Sequence, residues 1–258
     1  MTTVVKLGGS LLESRELRGA ALEAIATLWS KGGRVVVVHG GGKRIDAMLK
    51  ALDIPKKVQG GLRVTDAGTL DVVVSILSGL VNKTLVAELK ARGITAAGLS
   101  GADGETLFAE FHEAVDGVDL GFVGKPVTCR ATLLTAVLGA GFLPLVASVA
   151  LGRGGTLLNV NADAAAAALA IALDAGRLVY LTDVEGVRDE AGAVRETLDR
   201  AGVRALLASA AVTGGMKPKL SSALEALEAG VKEVLIAGPA LHRAALLDGK
   251  GGTTLVAR

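Results

Sequence analysis

Four valines in a row, Val35 to Val38, lead straight into His39 and three glycines, Gly40, Gly41 and Gly42. A strand that is apolar at every position has no face to give to water. It must be covered on both sides, which calls for a sheet held between two layers of helix. Val4-Val5-Lys6-Leu7-Gly8-Gly9 repeats the arrangement with a lysine inside it. Each run ends in glycines, where backbone N–H groups can approach an anion closely and a following helix adds its positive end. A glycine after a strand is in general no more than a tight turn, but two such turns, one with a strand lysine, point to a phosphate site. Neither fits the P-loop spacing Gly-x-x-x-x-Gly-Lys-Ser/Thr or the spaced glycines of a dinucleotide fingerprint.

Further strand-like runs lie at 94–99, 142–149, 178–182 and 233–237. Helical patterns separate them: 17–28, a long i, i+3, i+4, i+7 stripe from Leu70 to Leu85 in two helices or one bent helix, 162–173 and 216–229. Strand–helix alternation predicts a parallel sheet with helices on both faces. Thr106 to Val115 and Leu120 to Val127 break it, and read as a hairpin about Asp116-Gly117 lying off the main sheet. The 258 residues could form one large α/β domain or two lobes. A border near residue 176 is expected, with both lobes on one continuous sheet.

Half of the residues are hydrophobic but only 2% are aromatic, so the core must be built from Val, Leu, Ile and Ala. That composition leaves no platforms for stacking bases. With 28 basic against 26 acidic residues and no long basic run, a nucleic-acid partner is not expected. Cys129 is the single cysteine, which excludes an internal disulfide and any multi-cysteine metal site. Lys6 and Gly8-Gly9 interrupt the apolar start, and no uninterrupted apolar run reaches membrane-spanning length. A cytoplasmic protein with no membrane partner is the expectation.

Several side chains stand out on their chemistry. A strand lysine such as Lys6 is costly to bury without an anion, although it could also snorkel from the strand end. Lys219 follows Pro218, a residue suited to the first turn of a helix, so it would sit at a positive helix end where only a bound anion makes it favourable. Lys217 reads as a solvated charge. Asp163 could cap the Ala-rich helix, but capping alone does not need Asn159, Asn161 and Asp163 within five residues. Arg63, in Gly61-Leu62-Arg63-Val64-Thr65, offers a fork for a carboxylate, though a lone loop arginine is commonly a surface charge. Asp183-Val184-Glu185-Gly186-Val187-Arg188 could be a plain acidic turn. Three histidines and one cysteine suggest no metal cluster and no Ser/His/Asp arrangement, and His39 receives no role.

Taken in order, Lys6-Leu7-Gly8-Gly9, His39-Gly40-Gly41-Gly42, the Arg63 segment, Asn159-Val160-Asn161-Ala162-Asp163, Thr182 to Gly186 and Gly214-Gly215-Met216-Lys217-Pro218-Lys219 resemble the amino acid kinase family from end to end. The resemblance implies an open αβα sandwich around a mainly parallel sheet. Residues 1–176 would be an acceptor lobe that also carries a homodimer contact, and residues 177–258 a nucleotide lobe. Within the family the likeness is to kinases that phosphorylate the side-chain carboxylate of N-acetyl-L-glutamate in arginine biosynthesis. They use ATP, with Mg²⁺ held mainly by the nucleotide phosphates and no protein metal site.

By the same resemblance Lys6 contacts the transferring phosphoryl group, Lys219 stabilises the leaving phosphate and Asp163 orients both lysines. Arg63 takes the substrate's α-carboxylate and Asn159 contacts the acceptor, with Gly41 and Gly42 beside it. Gly8 and Gly9 join Gly41 as N–H donors to the phosphoryl group. Asp183 through Arg188, with Ala211, Val212 and Thr213, lie against the nucleotide. The runner-up is a sister kinase of lysine biosynthesis acting on a carrier-linked aminoadipate or glutamate. A silent amino-acid sensor is a third, disfavoured by the two lysines and Asp163. Lys217, Ala102 and Gly238-Pro239 depart from the family pattern. Arginine-sensitive members carry an extra helix before the first strand. Here only Met1 to Val5 precede Lys6, so arginine insensitivity is expected, with assembly stopping at a dimer.

Overall fold

The computed structural model describes residues 1–189, 192–209, 212 and 214–257. The strands begin with β1 (Thr2–Leu7), β2 (Arg34–His39), the short pair β3 (Val58–Gln59) and β4 (Leu62–Arg63), and β5 (Ala96–Ser100). They continue with β6 (Leu107–Phe111), β7 (Val123–Cys129), β8 (Leu143–Ala147), β9 (Val149–Leu151) and β10 (Leu157–Val160). The last four are β11 (Arg177–Leu181), β12 (Thr197–Asp199), β13 (Glu233–Ala237) and β14 (Thr253–Val256). Eight of them form one sheet in the order β12-β14-β13-β11-β1-β2-β8-β5. Its neighbours are parallel except for β13 and β14, which are antiparallel. This is the α/β fold the alternation predicted.

The valine run behaves as its composition requires. Val35 and Val37 enter one apolar cluster and Val36 and Val38 the other, on opposite sides of the sheet. In β1 the same alternation sends Val5 and Leu7 to the first cluster and Val4 to the second. Lys6, two residues on from Val4, therefore rises on the second side, where the helix Ala162–Ala172 packs. That helix buries Ala165, Ala166, Ala167 and Ala170. Methyl-sized side chains let it lie close over the sheet, and this brings its first turn to the end of β1.

The off-sheet hairpin forms with narrower limits than expected: β6 and β7 pair antiparallel, and β9 and β10 join them in a small closed barrel. The single run expected at 142–149 is in fact two strands. The chain leaves the main sheet at Ser148, whose N–H donates to His39 O at 3.2 Å while its carbonyl accepts from Val160 N at 3.1 Å.

The apolar stripe from Leu70 to Leu85 lies in one continuous helix, Ala67–Lys90, with a π-helical stretch at Ser75–Val81. Asp66 caps its start by accepting from Thr69 N at 2.8 Å. By length and composition alone this 24-residue helix could cross a membrane. Its buried face, with Val72, Val73, Ile76, Leu77, Leu85 and Leu89, packs instead into the first apolar cluster.

Candidate active site

Lys6, Asp163 and Lys219 meet at the C-terminal end of β1. Lys6 Nζ lies 2.7 Å from Asp163 Oδ1, and Lys219 Nζ lies 3.1 and 3.3 Å from the two carboxylate oxygens. All three side chains are less than a tenth exposed. Lys219 belongs to the helix Met216–Glu228, in its first turns as Pro218 predicted, and its ammonium sits 4.9 Å from the ring centroid of Tyr180. Lys217 is exposed.

Local structure explains why Asp163 is available. The cap of its helix is Asn161, whose side chain accepts from Asp163 N at 2.8 Å and Ala164 N at 3.3 Å. With capping done by Asn161, the Asp163 carboxylate is left for the lysines. Burial pushes its carboxyl pKa up, but Lys6 and Lys219 together hold it below the usual carboxylate range. Lys219 moves the other way. Burial, and after it the charge of Lys6, bring it down to about 8 despite the attraction of Asp163. Two cations around one anion leave a net positive charge in a dry place, which is a seat for an anion.

Lys6 and Asp163 border a cavity of about 240 Å³ lined by Gly9, Gly40, Gly41, Gly42, Arg63 and Asn159 among others, with Lys219 behind Asp163. The expected residues on the acceptor side thus do come together. Arg63 stands on β4 and donates to Gly42 O at 3.2 Å and to Asp46, while its Nη1 is buried without a partner. Asp46, which sequence reasoning missed, also accepts from Lys56 at 2.7 Å. Asn159 donates to Thr65 Oγ1 at 3.1 Å, so the buried Thr65 of the Arg63 motif orients it. Leu77, from the π-helical stretch, lines the cavity as well.

One expectation is corrected. The N–H of Gly8 donates to Leu181 O at 2.8 Å and continues the sheet. It is therefore not a free donor to a phosphoryl group. A Cβ at Gly8 would stand 3.0 Å from that same oxygen, so the residue serves close backbone approach between β1 and β11.

The segment from Asp183 to Arg188 follows β11. Asp183 accepts from Thr182 Oγ1 at 3.1 Å. Burial raises its carboxyl pKa, but bonds from Ser10 and Thr182 and the nearby Lys219 charge bring it below the usual range. Three glycines wedge the segment in place. Built Cβ atoms would come within 2.8 Å of Glu185 Cα at Gly238, 2.0 Å of Ile236 O at Gly252 and 2.6 Å of Thr253 Oγ1 at Gly186. Val187 donates its N–H to Thr253 Oγ1 at 2.8 Å, accepts from Arg195 N at 2.8 Å through its carbonyl and buries its side chain in the core, so it shapes the segment and offers a ligand no free polar group. Val184 is exposed. Val212 packs against the second apolar cluster, and Ala211 and Thr213 lie outside the described residues.

Residues 1–238 match the sequence pattern of the amino acid kinase family. An acetylglutamate kinase of Sphingopyxis alaskensis is 41% identical over 269 residues, covering 100% of this chain and 89% of that protein. One of Sinorhizobium medicae is 42% identical over 256 residues, covering 96% and 87%. Among solved structures, an N-acetylglutamate synthase of Neisseria gonorrhoeae, complexed with coenzyme A and N-acetyl-glutamate, superposes with a TM-score of 0.84 at 29% identity. That match takes in 99% of this chain and 59% of the synthase.

Proposed function

This chain belongs to the amino acid kinase family, and from that premise we propose that it transfers the γ-phosphoryl group of ATP to the side-chain carboxylate of N-acetyl-L-glutamate. The products are ADP and N-acetyl-L-glutamyl 5-phosphate, in arginine biosynthesis. The names of its relatives support the acceptor, and the buried Lys6–Asp163–Lys219 triad carries the chemistry. One carboxylate oxygen bonds to the γ-phosphorus as the bond to the ADP oxygen breaks, and no proton changes hands. A carboxylate of unperturbed pKa about 4.3 is already ionised at neutral pH, so no general base is needed.

The barrier is the approach of one anion to another, and preorganised positive charge is what lowers it. Lys6 meets the transferring group, Lys219 the charge gathering on the leaving phosphate, and Asp163 orders the two lysines. Gly9 and Gly41 face the phosphoryl path and Gly42 the acceptor. Arg63, which lines the cavity, takes the acceptor's α-carboxylate, and Asn159 contacts the acceptor. Asp183 to Arg188 and Val212 form the nucleotide's side. Among the described residues no three His, Cys, Asp or Glu side chains stand together to hold a metal. The Mg²⁺ of this reading would be carried by the nucleotide's own phosphate oxygens, where it neutralises their charge.

The acceptor lobe is residues 1–176 and the nucleotide lobe 177–258, both resting on the sheet through the pairing of β1 with β11. The protein is cytoplasmic and dimeric, joined along the outer side of the 67–90 helix, where Leu80 is 52% exposed. Incubation with MgATP, N-acetyl-L-glutamate and hydroxylamine tests the reaction, which should yield a hydroxamate. Hydroxamate only from a carrier-linked acceptor would make the protein a kinase of lysine biosynthesis. Tight binding of N-acetyl-L-glutamate without turnover would make it a sensor.

A further inference from the structure

We propose that His39 is a positioning residue, which holds the Gly40–Gly41 peptide so that the Gly41 N–H is aimed into the phosphoryl-transfer cavity. This rests on the reading of the cavity given above. His39 closes β2 and is wholly buried, in contact with no residue of the triad in any hydrogen bond or ion pair described. Its Nδ1 lies 3.0 Å from Gly40 O and its Nε2 lies 3.0 Å from Asn82 Nδ2.

The proton's place on the ring follows from Asn82. That side chain reaches Leu145 O at 3.0 Å and Leu99 O at 3.2 Å. Two carbonyl oxygens accept only, so the amide nitrogen must face them, and it faces His39 Nε2 as well. The amide oxygen accepts from Lys83 Nζ at 3.0 Å, which fixes the same orientation from the other side. An amide nitrogen cannot accept, so His39 Nε2 is the acceptor in that contact, one of the two amide hydrogens being shared between neighbouring acceptors, and the ring proton sits on Nδ1, donating to Gly40 O. Burial pushes the imidazole down to about 4, so one ring nitrogen and not both carries a proton at neutral pH.

The consequence is geometric. In a trans peptide the C=O and the next N–H point in opposite directions. With the Gly40 carbonyl held towards the ring, the Gly41 N–H is turned away from it, towards the cavity that Gly40 and Gly41 line. Glycine at both positions would otherwise leave this plane free to rotate. The network also has room made for it. A Cβ on Gly98 would stand 2.1 Å from Asn82 Oδ1 and 2.7 Å from Lys83 Nζ.

Two substitutions separate positioning from packing. Asparagine at 39 places an amide donor near the Nδ1 position and keeps the bond to Gly40 O. Glutamine places its amide near Nε2, keeps the Asn82 contact and loses the Gly40 bond. Per folded molecule, His39→Gln should lose turnover about tenfold or more with the acceptor KM within about threefold, whereas His39→Asn should stay within about threefold of wild type. Equal losses in both variants, a loss confined to His39→Asn, or no loss in His39→Gln would each overturn the proposal. The wild-type protein supplies a readout that needs neither variant turnover nor the right acceptor. The ¹⁵N imidazole shifts of labelled histidine should show His39 protonated on Nδ1, and an Nε2–H ring would sink the idea. If wild type forms no hydroxamate from N-acetyl-L-glutamate, the proposed acceptor fails while this tautomer result still stands or falls alone.

Discussion

Replacing Asp163 by asparagine tests whether the carboxylate orders the two lysines or takes a proton. The change keeps the shape and removes one negative charge that faces Lys6 Nζ at 2.7 Å and Lys219 Nζ at 3.1 Å. At an effective dielectric of about 20 these two contacts are worth about 6 and about 5 kcal/mol. Relaxation and water recover much of that, and breaking a buried pair by deleting one partner costs about 3–5 kcal/mol. A chain of this size loses about 2–4 °C of Tm per kcal/mol, so melting should fall by on the order of 10 °C.

Losing Asp163 also removes what holds Lys219 as high as about 8, so part of the lysine charge should vanish at neutral pH. Turnover should then drop by roughly a hundredfold or more. Because a bound anion can replace the lost charge, MgADP should raise the Tm of the variant by more than it raises that of wild type. Thermal melts with and without MgADP, beside hydroxamate kinetics, measure all three quantities. A variant that loses turnover while its Tm and its gain from MgADP match wild type would show Asp163 acting on a proton, and the organiser role would be refuted.

Lys219, near 8 in the free protein, should give kcat/KM an alkaline limb, falling as pH rises through about 8, while kcat holds to higher pH because bound phosphates favour the charged amine. Stability carries the opposite sign. A lysine lowered from 10.5 opposes folding below about 8, and that opposition fades as pH climbs towards 10.5. Lys219→Arg should abolish the limb, and a limb that survives the change belongs to another group. Arg63→Ala should raise the acceptor KM about tenfold or more with little change in kcat, while Lys217→Ala should alter either by less than about twofold. Equal effects of the two would remove Arg63 from the acceptor site. Gly238→Ala drives a methyl to within 2.8 Å of Glu185 Cα, so it should raise the KM for ATP several-fold and leave the acceptor's alone. The reverse pattern would detach the 183–188 segment from the nucleotide.

The triad was legible because burying two lysines against one carboxylate leaves a mark at each position: an ionic group in an apolar strand, another in the first turns of a helix, an aspartate among asparagines. The valine run foretold the two apolar layers for the same kind of reason, since every position had to be covered. Asp46 and Asn82 left no such mark. An aspartate on a half-exposed helix and an asparagine midway along an apolar one look like ordinary surface residues until tertiary contacts bring β4 and residues of β2, β5 and β8 against them. Asn161 was visible as one of three polar residues, but the division of labour between a capping asparagine and a free aspartate depends on side-chain direction at the helix entry. The free N–H expected of Gly8 failed because a strand's last hydrogen bond is set by its neighbour β11, which lies far off in the chain.

The π-helical stretch at Ser75–Val81 has a consequence for how this chain can change over time. A π turn amounts to one residue more than an α-helix needs, and each residue turns a helix by about 100°. Deleting any one residue there would heal the helix and make it more stable taken alone. It would leave the helix beyond the stretch in phase, so Asn82 would keep its direction towards His39, while the side chains of the stretch itself, Leu77 at the cavity among them, would be re-aimed. A single deletion in this stretch should therefore cost the fold less than one in the α-helical parts of the same helix, where the turn of about 100° per residue would re-aim everything beyond it, and its cost should fall on the cavity instead. The irregular turn serves the cavity that Leu77 lines and not the helix itself.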